Sequence, residues 1–387
     1  MEAATGVSGV TRSKFLEQPA VTAGIAAAIA AALFSVPMVP YLAEPADLWT
    51  HIEYAKTIHQ LSDIKSPHFL FQVLLIGINR VVGVSYEVAA IGLMSFCYAF
   101  MAAWIALRIR VVNPTLNIGG VAALAVLVLL ASHVFLQSAF NLNFYYGYIA
   151  PTTYHNPTQV LSKALAVPVL FAYVALTFEE REGAVWPLLL PVGIVLSAIA
   201  KPSFLIAFVP CVCAVEISRA VGGRRKSAAR NVALVAIPAC VVLLLQYLMA
   251  YGGAGSGGLG FAPFLVYGGA AKVLTKLPGS LLFPVAAAAM VWRQRTCSHR
   301  LLFAWFLYAV GMTISVCFVE TGGRMMQGNF AWTGQTVTFL LYVESVIALL
   351  AVPWQRAWPA WGAFALHVLF GIIWYLAAFM FPLGTFL

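Results

Sequence analysis

Apolar windows of about 17 to 25 residues recur along the whole of this 387-residue chain, and they constrain its fold more than any other feature. Each window is long enough to cross a hydrocarbon layer of about 30 Å as an α-helix. Hydrophobic residues make up 62% of the chain and charged residues only 9%, a balance that excludes a water-soluble fold of this length. The sequence therefore predicts an all-α, polytopic membrane protein.

About eleven of these windows are predicted to be transmembrane helices. They lie at about 20–43, 86–107, 117–137, 158–178, 184–200, 203–218, 231–251, 277–292, 301–319, 336–353 and 359–384. The first follows Arg12 and Lys14 but is too long for a signal peptide and has no clear cleavage site, so we expect a retained anchor. The chain is accordingly divided into a cytoplasmic N-terminal tail, 1–19, and a single transmembrane domain, 20–387.

The orientation depends on the segment from His68 to Gly83, because counting it as a span would invert every later helix. It is only about 16 residues long. Its His68, Gln72 and Asn79 form a narrow polar stripe, which is typical of a helix lying flat in the membrane interface. With this helix flat, the positive-inside rule is obeyed by twelve basic residues. They are Arg108, Arg110, Arg181, Arg219, Arg224, Arg225, Lys226, Arg230, Arg293, Arg295, Arg300 and Arg356.

This topology predicts a cytoplasmic N-terminus, a C-terminus outside, and an outer-face loop at 44–85 that contains interfacial helices. The expected location is a bacterial inner (cytoplasmic) membrane. A helix from Ala46 to about Leu61 would place Asp47 and His51 one turn apart on its polar side. In one interpretation Asp47 is only the dipole partner at the start of a wet interfacial helix. In the other, Asp47 is a general base where a hydroxyl acceptor meets a lipid-borne donor.

The second outer loop, 137–158, ends in the tetrad His155-Asn156-Pro157-Thr158, which follows Tyr154. The tetrad places polar groups at the start of the next helix, where free backbone amides and the helix dipole favour an anion. Helix capping accounts for the same residues equally well. Both interpretations stay open.

Two lysines occupy positions that hydropathy disfavours. Lys163 lies about one turn inside a predicted span, and Lys201 lies in a tight turn between two short helices. A charge at membrane depth is costly and usually faces a cavity or a partner. A long side chain can also snorkel to the interface, which is the simpler interpretation for Lys163. The last outer loop adds Glu320, Arg324 and Asn329 among glycines that permit close approach of the backbone to a ligand.

Three other features carry simpler predictions. The Gly-rich stretch 252–260 lacks the Lys-Ser/Thr ending of a phosphate loop and is predicted to be a flexible outer linker. Glu344, inside a predicted span, is expected to pair with a polar neighbour. The six cysteines have no spacing typical of zinc ligands, so no metal site is predicted.

The chain resembles the GT-C superfamily of integral membrane glycosyltransferases, over nearly its whole length. The resemblance lies in an outer loop of membrane-parallel helices and in two short motifs, Glu44-Pro-Ala-Asp47-Leu-Trp-Thr-His51 and Ser66-Pro67-His68. Three further segments look like a polysaccharide-related branch of bacterial membrane proteins. They are His155-Asn-Pro-Thr158, Lys201-Pro-Ser203 and Arg324 to Phe330. Beyond Asp47 and Glu53 the chain has no paired-acid signature after the first span, and no large soluble C-terminal domain, such as many members of that superfamily carry, is expected from this sequence.

The resemblance implies an inverting transfer from a polyprenyl-phosphate sugar. Asp47 would deprotonate an acceptor hydroxyl that attacks the anomeric carbon, with His51 orienting acceptor or phosphate. Lys201 and Arg324 would stabilise the departing lipid phosphate. His155, which like His51 would orient acceptor or phosphate, and Lys163 complete the residues expected to bind the donor phosphate. Substrate contacts are expected from Glu53, Tyr154, Asn156, Glu320 and Asn329. The expected partners are the polyprenyl-phosphate-linked sugar, a glycan or lipid-linked acceptor and membrane lipids, without nucleic acid. A divalent cation (Mg²⁺ or Mn²⁺) is the one cofactor kept open.

Two rival classes also stay open. The first is a transporter of lipid-linked glycans, which should carry polar residues along both halves of a path through the midplane. Here the polar residues cluster on one side. The second is a polysaccharide polymerase, ligase or acyltransferase of the outer face. An acyltransferase would depend on an essential His rather than on Asp47, whereas a polymerase or ligase shares the lipid-phosphate chemistry.

Overall fold

The computed structural model describes residues 9–43, 46–135, 149–180, 183, 185–253 and 257–380, with side chains from residue 19 onward except that of 379. Its α-helices are α1 Gly9–Ser35, α2 Asp47–Lys56, α3 Leu70–Val82, α4 Tyr86–Val112, α5 Ile118–Leu130, α6 Pro157–Thr177, α7 Val185–Ala200, α8 Leu205–Val221, α9 Arg225–Tyr251, α10 Ala270–Arg293, α11 His299–Cys317, α12 Ala331–Leu349 and α13 Trp354–Met380. Short 3-10 helices lie at Val36–Leu42, Leu61–Asp63 and Gly322–Gln327. Strands β1 Leu259–Phe261 and β2 Phe318–Glu320 pair antiparallel.

Each of the eleven windows that were predicted to span the membrane overlaps a helix. Within the part of the chain that the structure describes, seven helical segments are long and apolar enough to cross a membrane, judged by length and composition. They are Pro19–Leu42, α4, α6, α9, α10, α11 and α13 up to Ala378. The prediction of an all-α protein with several candidate spans is therefore confirmed, while the number of eleven crossings stays a prediction.

The predicted continuous helix over 117–137 is wrong in its second half. Helix α5 ends at Leu130, and the next five residues are non-helical and buried. Their backbone groups bind two later helices, because Ser132 N donates to His367 O over 3.1 Å and Val134 N donates to Gly279 O over 2.9 Å. Non-helical backbone at membrane depth is tolerated where protein surrounds it and satisfies its polar groups.

A proline interrupts the helical hydrogen bonds of α10 near its contact with the non-helical stretch after α5. Pro284 has no N–H, so the carbonyl of Ser280 lacks its usual helical donor and accepts instead from the Tyr342 hydroxyl at 2.6 Å. The amide just before the proline, Phe283 N, donates to Nε2 of the buried His367 at 3.2 Å. Side chains of α12 and α13 thereby satisfy the backbone of α10 where its own ladder is interrupted.

Helices α6 and α12 form the centre of the bundle, since all but one residue of each is buried. They are joined near their N-terminal ends by Gln159, whose Nε2 donates to Trp332 O (2.9 Å) and to Thr336 Oγ1 (2.7 Å). On the other side of α12, a Cβ at Gly334 would lie 2.6 Å from Ser315 Oγ, so a small residue permits close packing on α11. The N-termini of α6 and α12 therefore lie side by side, and the candidate site is built around them.

A buried ionic cluster lies at the other end of α6 and α12. Arg300 donates to both carboxylate oxygens of Glu344 (3.1 and 2.8 Å) and also to Glu179 Oε1 (3.0 Å), which Arg108 binds as well. The predicted polar partner for Glu344 is thus confirmed. Since α6 has 21 residues at about 1.5 Å each, roughly 32 Å separate this cluster from the start of α6.

Candidate functional site

Helix α2 carries the first candidate residue at its N-terminus. It starts at Asp47, one residue after the predicted start at Ala46, and ends at Lys56 rather than near Leu61. Its predicted apolar side is buried against the bundle through Leu48, Ile52 and Ala55. This attachment leaves the Asp47 side chain 47% exposed, so the carboxylate borders both protein and open space.

Asp47 is connected to Lys201 through one amide. Asn156 Nδ2 donates to Asp47 Oδ2 at 3.0 Å, and Lys201 Nζ donates to Asn156 Oδ1 at 3.4 Å. The ring of His155 approaches the same carboxylate oxygen, with Nε2 at 3.9 Å. We call Asp47, His51, His155, Asn156 and Lys201 the polar cluster; they come from α2, the start of α6 and the α7–α8 turn.

Lys201 is almost completely buried. Its ammonium lies 4.4 Å from the centroid of the Trp332 ring, close enough for a cation–π interaction. Burial lowers the pKa of Lys201 to about 7, because it disfavours the charged form, while the nearby Asp47 carboxylate opposes this change. The ammonium therefore loses its proton far more readily than that of an exposed lysine.

Three histidines surround this lysine, and all are held neutral near pH 7. Burial lowers the pKa of His51 to about 4 and that of His68 to about 3, with Lys201 adding to both effects. The pKa of His155 is lowered as well, mainly by burial, although Asp47 acts in the opposite direction. His51 Nδ1 lies 2.6 Å from Gln72 Nε2. The neutral rings thus offer hydrogen bonds rather than positive charge.

A cavity of about 290 Å³ opens beside Lys201. Its lining includes several polar side chains, among them His68, Lys201, Glu320, Arg324 and Asn329. Apolar and aromatic side chains of α8, α9 and β1 form much of the rest, including Ile206, Leu243, Tyr247, Tyr251 and Leu259. The two cations that the sequence singled out at separate turns therefore line one cavity.

Glu320 organises the wall that carries Arg324. One of its oxygens accepts from the Tyr251 hydroxyl and the other from Asn329 Nδ2, and Arg324 Nη1 lies 3.8 Å away. Arg324 also donates to Ala250 O at 3.3 Å. With both oxygens occupied, Glu320 holds the last loop against α9 and partly offsets the charge of Arg324.

The same wall corrects the prediction of a flexible linker at 252–260. Residues Leu259 to Phe261 form β1, which pairs with β2, and Thr321 N donates to Gly258 O at 2.8 Å. Gly257 has φ +80° and packs so closely that a Cβ there would meet Thr321 O at 2.5 Å. The glycines thus permit a close strand pairing that fixes Glu320 in the cavity wall.

Hydrogen bonds to Tyr54 and Gln246 hold the chain segment between α2 and α3. This segment carries His68, which lines the cavity. The Tyr54 hydroxyl accepts from the amides of Lys65 (2.6 Å) and Ser66 (3.1 Å). Gln246 Nε2 of α9 donates to Pro67 O at 2.7 Å. In the polar stripe of α3, Gln72 is buried and its side chain contacts His51.

Three predicted site residues lie outside this arrangement. Glu53 forms an exposed ion pair with Lys56 at 2.8 Å, on the surface of α2. Tyr154 is buried in the core, where its ring packs 6.2 Å from that of Phe34. Lys163 does not snorkel: it is buried, and its Nζ donates to Pro151 O at 2.6 Å.

Several residues that shape the site were not singled out for it from the sequence: Gln72, Tyr251, Trp332 and Gln246. Gln72 and Gln246 did carry a signal, since each is an uncharged polar side chain within an otherwise apolar helix. Tyr251 and Trp332 carried none, because aromatic residues are common near membrane interfaces.

Within the described residues, no three His, Cys, Asp or Glu side chains converge in a way that could hold a metal ion. A scan against protein-family models finds no match for the chain, and searches of curated proteins and of solved structures find none either.

Proposed function

We propose that this protein is a glycosyltransferase that moves a sugar from a polyprenyl-phosphate donor to an acceptor hydroxyl, with Asp47 as general base. The observation that carries the proposal is the pairing of a half-exposed carboxylate with a buried ammonium, Lys201, beside a cavity that has both cations and apolar walls. A polyprenyl-phosphate sugar offers complementary groups, because its charged phosphate lies between a polar sugar and an apolar chain.

The charge on Lys201 supports an anionic ligand. Among the described residues no carboxylate lies within ion-pair distance of its Nζ, because Asp47 is reached only through Asn156 and Glu320 is held by Tyr251 and Asn329. A buried cation without a direct counter-ion is costly. A phosphate in the cavity would supply that counter-ion and gain charge-assisted hydrogen bonds.

The chemistry needs one base and stabilisation of one leaving group. Asp47 takes the proton of the acceptor hydroxyl as its oxygen bonds to the anomeric carbon. The bond from that carbon to the phosphate oxygen breaks, and its electron pair stays on the phosphate, where Lys201 and Arg324 stabilise the negative charge. Asp47 then gives its proton to water. Neutral His51 and His68 contribute hydrogen bonds.

The test uses purified protein in detergent with short-chain polyprenyl-phosphate hexoses as donor probes and release of polyprenyl phosphate as the readout. Asp47→Asn keeps the size of the side chain but cannot take a proton, so turnover should fall roughly 100- to 10,000-fold. Melting should change by no more than about half a kcal/mol in unfolding free energy, since Asp47 is half-exposed.

Two comparisons make this test decisive. The matched control is Asp63→Asn, at an exposed carboxylate of the same loop that accepts from the His59 and Gln60 amides, and it should keep wild-type turnover. Full turnover by well-folded Asp47→Asn would refute the assignment, and loss of activity in Glu53→Gln instead would move the base along α2. Turnover only of polyprenyl-diphosphate glycans would point to a polymerase or ligase.

A further inference from the structure

The orientation of the Asn156 amide is fixed by its neighbours. Its Oδ1 accepts from Gln159 N at 2.9 Å and from Thr158 Oγ1 at 3.0 Å, and Lys201 Nζ approaches the same atom at 3.4 Å. Three donors around one atom require an acceptor, so that atom is the amide oxygen. Nδ2 is then left to donate to Asp47 Oδ2 at 3.0 Å.

Asn156 is also rigid and enclosed. It is the N-cap of α6, the helix at the centre of the bundle, and Pro157 follows at the first helical position. Asn156 is only 6% exposed, and both ends of its amide are occupied. A sugar or phosphate would have to displace an existing hydrogen bond to reach it, which argues against the substrate contact that the sequence predicts.

We infer that Asn156 is a positioning residue, whose amide aims the Asp47 carboxylate from one end and holds the Lys201 ammonium at the other. Asp47 lies at the free end of the short helix α2 and is half-exposed, so its carboxylate has few other constraints. Because Asn156 is fixed at the start of α6, its amide holds both charged groups in fixed positions. The consequence for turnover rests on the proposed function, whereas the effect on the Asp47 carboxylate does not.

The sharpest variant is Asn156→Asp. An aspartate oxygen still accepts from Gln159 N, so the cap survives, but the Nδ2 donor becomes an oxygen facing Asp47 Oδ2 at the same short distance. Two facing carboxylates retain one proton between them, as in other carboxylate pairs. The other groups around Asp47 that carry or can carry charge are the same in both proteins, namely Lys201, His155 and His51, with Lys163 acting on His155. The new carboxylate also lies beside Lys201 Nζ and keeps that ammonium charged, so the shift reports the contact of residue 156 with both charged groups.

The readout needs no substrate. Infrared titration of the purified protein detects protonated carboxyl groups, and the signal of the site is identified by its loss in Asp47→Asn. In Asn156→Asp this signal should persist to a pH about one unit or more higher than in the wild type, a tenfold change in protonation. Asn156→Ser keeps a good cap but loses the donor to Asp47, and donor-probe kcat should fall about 10- to 100-fold.

Asn117 offers a matched control. It caps α5 with the same type of bond, Oδ1 accepting from Gly120 N at 2.7 Å, and no carboxylate is bound to its amide among the described contacts. Asn117→Asp and Asn117→Ser should therefore leave both the titration and turnover at wild-type values. A change in Asn117→Asp like that in Asn156→Asp would show a general effect of capping and would overturn the inference.

The outcomes separate this inference from the proposed function. An unshifted carboxyl titration in well-folded Asn156→Asp refutes the positioning role whatever the enzyme does. A raised donor KM in both Asn156 variants with an unshifted titration assigns Asn156 to substrate and also refutes it. Full turnover by Asp47→Asn defeats the proposed function, while a shifted titration would still support the Asn156–Asp47 contact.

Discussion

At the scale of single residues, Lys201 is expected to make donor binding depend on pH near neutrality. Burial lowers its pKa to about 7, so the ammonium is present below that pH and is lost as the pH rises through it. The phosphodiester of a polyprenyl-phosphate hexose does not titrate in this range. Donor affinity should therefore decrease with rising pH for a reason that lies in the protein.

The expected size of this effect follows from the fraction of Lys201 that stays charged. Between about pH 6 and pH 8 the dissociation constant of the donor probe should rise roughly tenfold, as one pKa unit corresponds to a factor of ten. Lys201→Arg, which stays charged throughout, should bind with little pH dependence. Binding measured in detergent at several pH values checks this. A flat wild-type profile, or an equal slope in Lys201→Arg, would contradict it.

The sequence predicted the residue types of the site better than their partners. Lys201 and Arg324 were expected to converge from separate turns, and both line the cavity. The neutral state of the histidines was not predictable, because it depends on burial, which residue type does not reveal. Glu53 was expected to contact the substrate, yet its carboxylate forms a local ion pair with Lys56. Roles for all of these residues stay predictions.

At the scale of elements, hydropathy located the helices but not the break after α5. Residues beyond Leu130 are apolar enough to continue a span, and only the pair Ser132-His133 interrupts the pattern. What ends the helix is tertiary: backbone partners on α10 and α13 compete with its own ladder. Such a competition depends on residues far away in the chain, so a window average cannot detect it.

The closeness of this contact gives a prediction for Gly371, in α13. A Cβ there would lie 1.9 Å from Leu130 O, so Gly371→Ala must push the end of α5 away. Overpacking of this kind costs about 1 to 3 kcal/mol, and thermal unfolding in detergent should shift downward accordingly.

Gly362, in the same helix, is the matched control because a Cβ there would meet nothing within 4 Å. Gly362→Ala should be neutral or up to about 1 kcal/mol more stable, since alanine is the better helix former. Equal melting of the two variants would show that α13 and the end of α5 are not in close contact.

At the scale of the whole molecule, the polar cluster and the ionic cluster lie at opposite ends of α6, roughly 32 Å apart. That separation is similar to the thickness of a hydrocarbon layer. Apolar side chains dominate the surface of α9 between the two levels, including Val241, Leu244 and Leu248. The arrangement fits a protein whose two charged levels face the two sides of a membrane.

The charge distribution predicts which level faces which side. Ser62→Cys, in the exposed loop after α2, should react with an impermeant thiol reagent added to intact cells, whereas Lys226→Cys should react only after permeabilisation. The native cysteines are replaced first, and each variant is checked for expression. Labelling of Lys226→Cys in intact cells would invert the orientation and place the polar cluster in the cytoplasm.

The unwound stretch after α5 also affects how the chain is made. Ser132 is held by His367, which lies 235 residues further along the chain. At roughly 5 to 20 residues per second, a ribosome needs on the order of ten seconds or more to reach that partner. During this interval the backbone after α5 lacks its permanent acceptors and donors on α10 and α13, so nascent chains at this stage should be the ones that membrane chaperones and proteases recognise.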